Sequence, residues 1–171
     1  MTTLAPLKYL SAYSPALQQQ VQQLLDQDRL SVFLLDRYPE PHTIVNDKAL
    51  RSYVMALKER YMKQSDPLSK IIYDPKIHVI KNALGLHSYV SRVQGGKLKS
   101  KNEIRIGAVF KKAPEPFLNM ICVHELAHLK EKAHNKNFYQ LCLHMQPHYH
   151  QLEFDMRVYL TQLELKGAIY L

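Results

Sequence analysis

The feature that most constrains the fold is the segment Phe117-Leu118-Asn119-Met120-Ile121-Cys122-Val123-His124-Glu125-Leu126-Ala127-His128-Leu129. It is apolar on nearly every face, so as a helix it must run through the interior rather than lie on a surface. Yet it carries two histidines and a glutamate, and an ionised carboxylate is almost never fully buried without a partner because unpaired burial costs several kcal/mol. Pro114 and Pro116 suit the first turn of this helix, where a missing amide hydrogen costs nothing. His124 and His128 are four residues apart and project from nearly the same face, so both imidazoles can reach one metal ion from adjacent turns.

With 9 His and 8 Glu in 171 residues, the H-E-x-x-H string is expected about 0.02 times by chance, which makes it a moderate signal that its apolar context strengthens. A catalytic zinc takes three protein ligands and keeps a position open for water, and a neighbouring glutamate can take that water's proton. His134 is the leading candidate for the third ligand. Six residues beyond His128 is about 600° of helical rotation, the wrong face if the helix continues. The run Lys130-Glu131-Lys132-Ala133-His134-Asn135-Lys136-Asn137 turns abruptly polar, so the helix is expected to end near Lys132 and the chain to turn back. No glycine serves that turn, but Asn135 adopts positive φ more cheaply than most residues. Glu153 and Asp155 are the carboxylate alternatives, followed by His144, His148 and His150. These three histidines, with His42, His78 and His87, otherwise read as surface or structural groups.

The flanking chain reads as α+β. Pro15 to about Asp28 carries Leu17, Val21, Leu24 and Leu25 at helical spacing, and Ser31 to Tyr38 continues apolar as a short second piece that Pro39-Glu40-Pro41 ends. Asn46-Asp47 caps a third, with Ala49, Leu50, Tyr53, Val54, Leu57 and Tyr61 on one face. Short β-branched or aromatic stretches follow at Ile71 to Tyr73, Ile77 to Ile80 and Leu86 to Val93, and then a loop opened by Gly95-Gly96 carrying Lys97, Lys99 and Lys101. Ile104, Ile106, Ala108 and Phe110 alternate with Glu103, Arg105, Gly107 and Val109, so the last strand of a small antiparallel sheet is expected over Glu103 to Phe110. Helices are expected from Asn135 to Pro147 and from Gln151 to Leu163, with residues 1–66 an N-terminal helical part of a single domain spanning 1–171.

Cys122 and Cys142 are too few for a disulfide framework or a four-cysteine zinc site, and read as buried thiols. No Gly-rich nucleotide-binding string occurs among the 5 glycines. The N-terminus has no secretory pattern and no run of about 18 apolar residues occurs, so a cytoplasmic protein without a membrane span is expected. The net charge of +8 favours anionic partners such as nucleic acid, nucleotides or acidic peptides.

The run His124-Glu125-Leu126-Ala127-His128-Leu129, with His134 and then Phe138, resembles the YgjP-like metallopeptidase family, related in pattern to the WLM and SprT-like domains. Pro147-His148-Tyr149 and a helix with Phe154 and Leu160 extend the likeness, which is specific over 103–160. It implies a minimal zincin fold, one Zn2+ held by His124, His128 and His134, and Glu125 as general base. The family's Trp-Gly-Ser-type segment is replaced here by Leu86-His87-Ser88-Tyr89, and the chain has no Trp.

Three functional readings follow. The first is a zinc metallopeptidase cleaving a peptide or protein substrate that pairs with the strand at Glu103 to Phe110, taken as an edge. Tyr149, Tyr159 and His150 are its candidate oxyanion donors. The second is a metal-dependent phosphohydrolase acting on nucleotides, and the third a nucleic-acid-associated metal-binding module. Imidazole ligands suit zinc, and other divalent transition metals can occupy the same nitrogens.

Overall fold

The computed structural model describes residues 7–77, 85–94 and 97–170, with residues 85–94 and 97–101 described through their backbone alone. Two compact units divide the chain: one reaches to Pro41 and resumes at His150, and the other is His42–Tyr149.

The first unit is helical. Helix α1 (Pro15–Asp26) starts where the Ser14 hydroxyl accepts the Leu17 N–H at 3.3 Å, satisfying an amide the helix cannot. It buries Val21 and Leu25, and α2 (Leu30–Arg37) buries Leu30 and Leu34. The reversal between them places Asp28 at φ 52°, a conformation Asp tolerates better than most residues. The long α6 (Tyr149–Leu165) completes the unit. Its buried Asp155 accepts from the Tyr38 hydroxyl at 2.5 Å, Arg37 at 3.3 Å and Gln151 at 2.9 Å.

The second unit holds the sheet. The Asn46 side chain caps α3 (Asp47–Tyr61) by accepting the Ala49 N–H at 2.8 Å. Strands β1 (Leu68–Asp74), β2 (Gly85–Gln94) and β3 (Lys97–Gly107) lie in the order β1-β3-β2. The pairing of β2 with β3 is antiparallel, as expected, but β1 runs parallel to β3, with Ile71 opposite Ile104 and Tyr73 opposite Ile106. The sheet is therefore mixed rather than antiparallel, and β3 is its centre. Arg105 ties the parallel pair by bonding Asp74 at 3.0 Å, and reaches Glu103 on its own strand at 3.3 Å.

Two expectations are corrected. The last strand ends at Gly107 rather than Phe110: among the described residues its pairing stops at Asp74 opposite Gly107 and Gly85 opposite Ile106. Ala108–Lys112 instead forms a 3-10 turn that buries Phe110. Lys97, Lys99 and Lys101 belong to β3, opposite Gln94, Arg92 and Val90, and not to a loop. The stretch Ile77 to Ile80 lies outside the described residues after Ile77, as does His78.

Helix α4 (Glu115–Ala127) packs against β2 and β3, while α5 (Lys136–Met145) packs on α4. Phe117, Leu118, Ile121, Cys122, Val123 and Leu126 are fully buried, as the all-round apolar sequence requires. Both cysteines are buried and neither is in a disulfide. Among the described residues, no helix is long and apolar enough to cross a membrane.

Candidate metal centre

A polar chain crosses the apolar unit and fixes α4 beside its neighbours. The Tyr53 hydroxyl on α3 donates to Glu115 at 2.5 Å, the Asn119 side-chain amide donates to that hydroxyl at 2.9 Å, and the Gln146 side-chain amide donates to Asn119 Oδ1 at 2.8 Å. Burial, reinforced by the bond to Glu115, pushes the Tyr53 phenol well above its ordinary range, so it remains a donor. Gln146 also accepts the His148 N–H at 3.1 Å, and its carbonyl accepts the Tyr149 N–H at 3.0 Å. Tyr149 is thereby delivered, fully buried, to α4, where its hydroxyl lies 2.7 Å from His124 Nδ1.

Helix α4 ends at Ala127, earlier than the expected Lys132, and His128 is its C-cap with φ −66° and ψ −15°. The chain turns through Leu129 to Asn135, but Asn135 does not take positive φ. Its φ is −93°, and its side chain caps α5 by accepting the Phe138 N–H at 2.9 Å. Among the described residues, Asp28 is the one non-glycine at positive φ, so this reversal is made from ordinary conformations.

The turn brings His134 back to the helix. Nε2 of His128 lies 3.2 Å from Nε2 of His124 and 3.1 Å from Nε2 of His134. His128 Nδ1 is 2.9 Å from the Glu131 carbonyl, which can only accept, so the ring hydrogen is on Nδ1 and a neutral His128 turns a lone pair toward the other two rings. With its lone pair turned to Nε2 of both other rings, His128 is set to share a cation with them. Zinc–nitrogen bonds of about 2.05 Å at tetrahedral angles separate ligand nitrogens by about 3.3 Å, close to the spacing here, so this donor set fits such an ion. The three histidines can hold a metal: their ligand atoms all lie within 4.8 Å of one another, with His124 and His128 half-buried and His134 exposed.

Phe138 floors the cluster. Its fully buried ring lies 4.6 Å from that of His128, 5.0 Å from His124 and 4.9 Å from His134. Glu125, between the two helical histidines in sequence, is 2% exposed.

The other sequence candidates lie elsewhere. Glu153 pairs with Arg157 at 3.5 Å, and Asp155 has the donors already described. His144 packs edge-to-face on Tyr61 at 5.5 Å, and His148 and His150 are exposed. His42 is structural: it donates to the Phe110 carbonyl at 2.6 Å through Nε2 and accepts the Ile44 N–H at 2.9 Å on Nδ1. Tyr159 is buried against Tyr170 with ring centres 5.8 Å apart. The side chains of Leu86 to Tyr89, His87 included, lie outside the described residues. Sequence reasoning missed the orienting contacts of the Tyr149 hydroxyl and the Glu131 carbonyl, which no residue spacing announces.

The YgjP-like metallopeptidase domain matches residues 43–158. The UTP pyrophosphatase of Escherichia coli (strain K12) is 60% identical over 159 residues, which cover 93% of this chain and 95% of the relative. No solved structure matches. The chain belongs to the YgjP-like metallopeptidase domain family.

Proposed function

We propose that this chain is a zinc-dependent hydrolase acting on a nucleoside triphosphate, UTP foremost, with release of pyrophosphate. The convergence of the Nε2 atoms of His124, His128 and His134 beside the buried Glu125 carries the hydrolase reading. The 60% identity to a UTP pyrophosphatase supports the substrate. Zinc, when bound, lowers the pKa of a water and polarises an oxygen of the group under attack.

The chain's own residues supply the rest. His124, His128 and His134 hold the ion, with Tyr149 and the Glu131 carbonyl fixing the first two rings. Glu125 takes a proton as the water oxygen bonds to the α-phosphorus. The bond from that phosphorus to the bridging oxygen breaks, and its electron pair leaves with pyrophosphate. Glu125 then releases the proton to pyrophosphate or solvent.

Peptide-bond hydrolysis is the second reading, favoured by the family's metallopeptidase description and by the same H-E-x-x-H constellation. Its strand-pairing support has gone, since β3 is the central strand and has both sides occupied. Zinc-loaded wild type and Glu125→Gln, assayed for pyrophosphate release from UTP, separate the two. Release by wild type and its loss by at least about 100-fold in the variant is expected. No release from any nucleoside triphosphate, with cleavage of peptides, would overturn the substrate assignment.

A further inference from the structure

A second concave site adjoins the histidine turn. It is a cavity of about 560 Å³ whose walls include Arg60, Tyr61, Lys63 and Asp66 from the end of α3 and the loop after it, and Leu129 and Lys130 from the turn after α4. Leu129 and Lys130 directly follow His128, so the Cα atoms of Lys130 and His128 are at most about 7.6 Å apart. One wall of this cavity is thus built by the two residues that follow a histidine of the cluster.

The charge of the walls is one-sided, with Arg60, Lys63 and Lys130 against Asp66. Lys63 pairs with Glu59 at 3.4 Å, but both side chains are 70% exposed, so that pair is screened and leaves the ammonium available. The Arg60 guanidinium lies 4.9 Å over the Tyr61 ring, which holds it at the rim. Basic residues are favoured at a helix C-terminus, which accounts for Arg60 in the last turn of α3. Lys130 comes from a different element.

Beneath the loop sits Lys58, a lysine only 7% exposed. Its ammonium donates to the carbonyl of Ser65, another wall residue, at 3.1 Å, and among the described residues no carboxylate pairs with it. The Ser65 N–H and hydroxyl both donate back to the Met62 carbonyl, at 3.0 and 2.5 Å. The loop is thus tied down over a buried positive charge, which adds to the field of the three cations above it.

We propose that this cavity is the polyphosphate subsite, where Arg60, Lys63 and Lys130 hold the terminal two phosphates of a nucleoside triphosphate. The assignment rests on the nucleotide reading of the metal centre. It makes these three side chains substrate-positioning groups that also receive the departing pyrophosphate.

Titration calorimetry with inorganic pyrophosphate tests it on the full-length, metal-loaded wild type and on Arg60→Ala, Lys63→Ala and Lys130→Ala, with UTP kinetics alongside. Wild type is expected to bind pyrophosphate, and each variant to bind about tenfold or more weakly. The variants should lose kcat/KM for UTP mainly through a raised KM and keep wild-type Tm and zinc content, and Arg60→Lys should lose less than Arg60→Ala. UTP hydrolysis with unaltered pyrophosphate affinity and KM in all three variants would overturn the subsite and leave the proposed reaction standing. Pyrophosphate binding lost in the variants of a chain that hydrolyses no nucleoside triphosphate would support the anion site while overturning the proposed reaction. No pyrophosphate binding by wild type overturns the subsite outright.

Discussion

The Tyr149 hydroxyl and Nδ1 of His124 lie 2.7 Å apart across 25 residues of sequence. This contact and the Glu131 carbonyl on His128 give two of the three imidazoles an orienting partner on the nitrogen that faces away from the cluster. Tyr149→Phe keeps the packing and removes the partner. Zinc affinity, read by competition with a chromophoric chelator, should fall about 10- to 100-fold, while thermal stability of the zinc-free protein changes little. Unchanged affinity would make the hydroxyl merely structural.

His42 gives the second unit a pH-dependent stability. Burial holds its imidazole below the ordinary histidine range, and its Nδ1 must stay unprotonated to accept the Ile44 N–H. The unfolded chain therefore binds a proton that the folded chain refuses. This stabilisation is present above the unfolded pKa of about 6.5 and is lost as pH falls below it toward the depressed folded value. Urea midpoints should decline between pH 7 and 5, and less so in His42→Gln. At pH 7, His42→Ala should cost about 1–3 kcal/mol by leaving buried backbone groups unsatisfied. A variant whose midpoints decline as steeply as wild type would remove His42 as the source.

Asp155 is fully buried, and its carboxylate collects Tyr38, Arg37 and Gln151, which gives it a structural role in the first unit. Asp155→Ala should destabilise the protein by about 1–3 kcal/mol in denaturant unfolding, because the Tyr38 hydroxyl loses its acceptor. The zinc content of the folded variant should equal that of wild type. Loss of zinc without loss of stability would restore Asp155 as a metal ligand.

How much of this was legible beforehand depends on the range of the interaction. The burial of α4, the Asn46 cap and the pairing of His124 with His128 rest on spacings of four residues or fewer, which local chemistry sets. The polar switch at Lys130 signalled the turn that returns His134, although the turn needs no left-handed residue and Asn135 serves as a cap instead. The direction of β1 was not legible. Parallel pairing of Ile71 with Ile104 joins residues far apart in sequence, and an alternating strand pattern reads the same in either direction. Ala108 and Phe110 prolong the alternation past Gly107, but there the chain tightens into a 3-10 turn that buries Phe110, so periodicity alone overran the element. The Tyr149 and Glu131 contacts were hidden for the same reason: one crosses helices, and the other uses a backbone carbonyl that any residue carries.

The most direct measurement is metal content by mass spectrometry of purified wild type, His128→Ala and His134→Ala, each after zinc reconstitution. One zinc per wild-type chain, lost in both variants, is the predicted result. Zinc retained by His134→Ala, or no zinc bound by wild type, would contradict the three-histidine centre and the hydrolytic mechanism built on it.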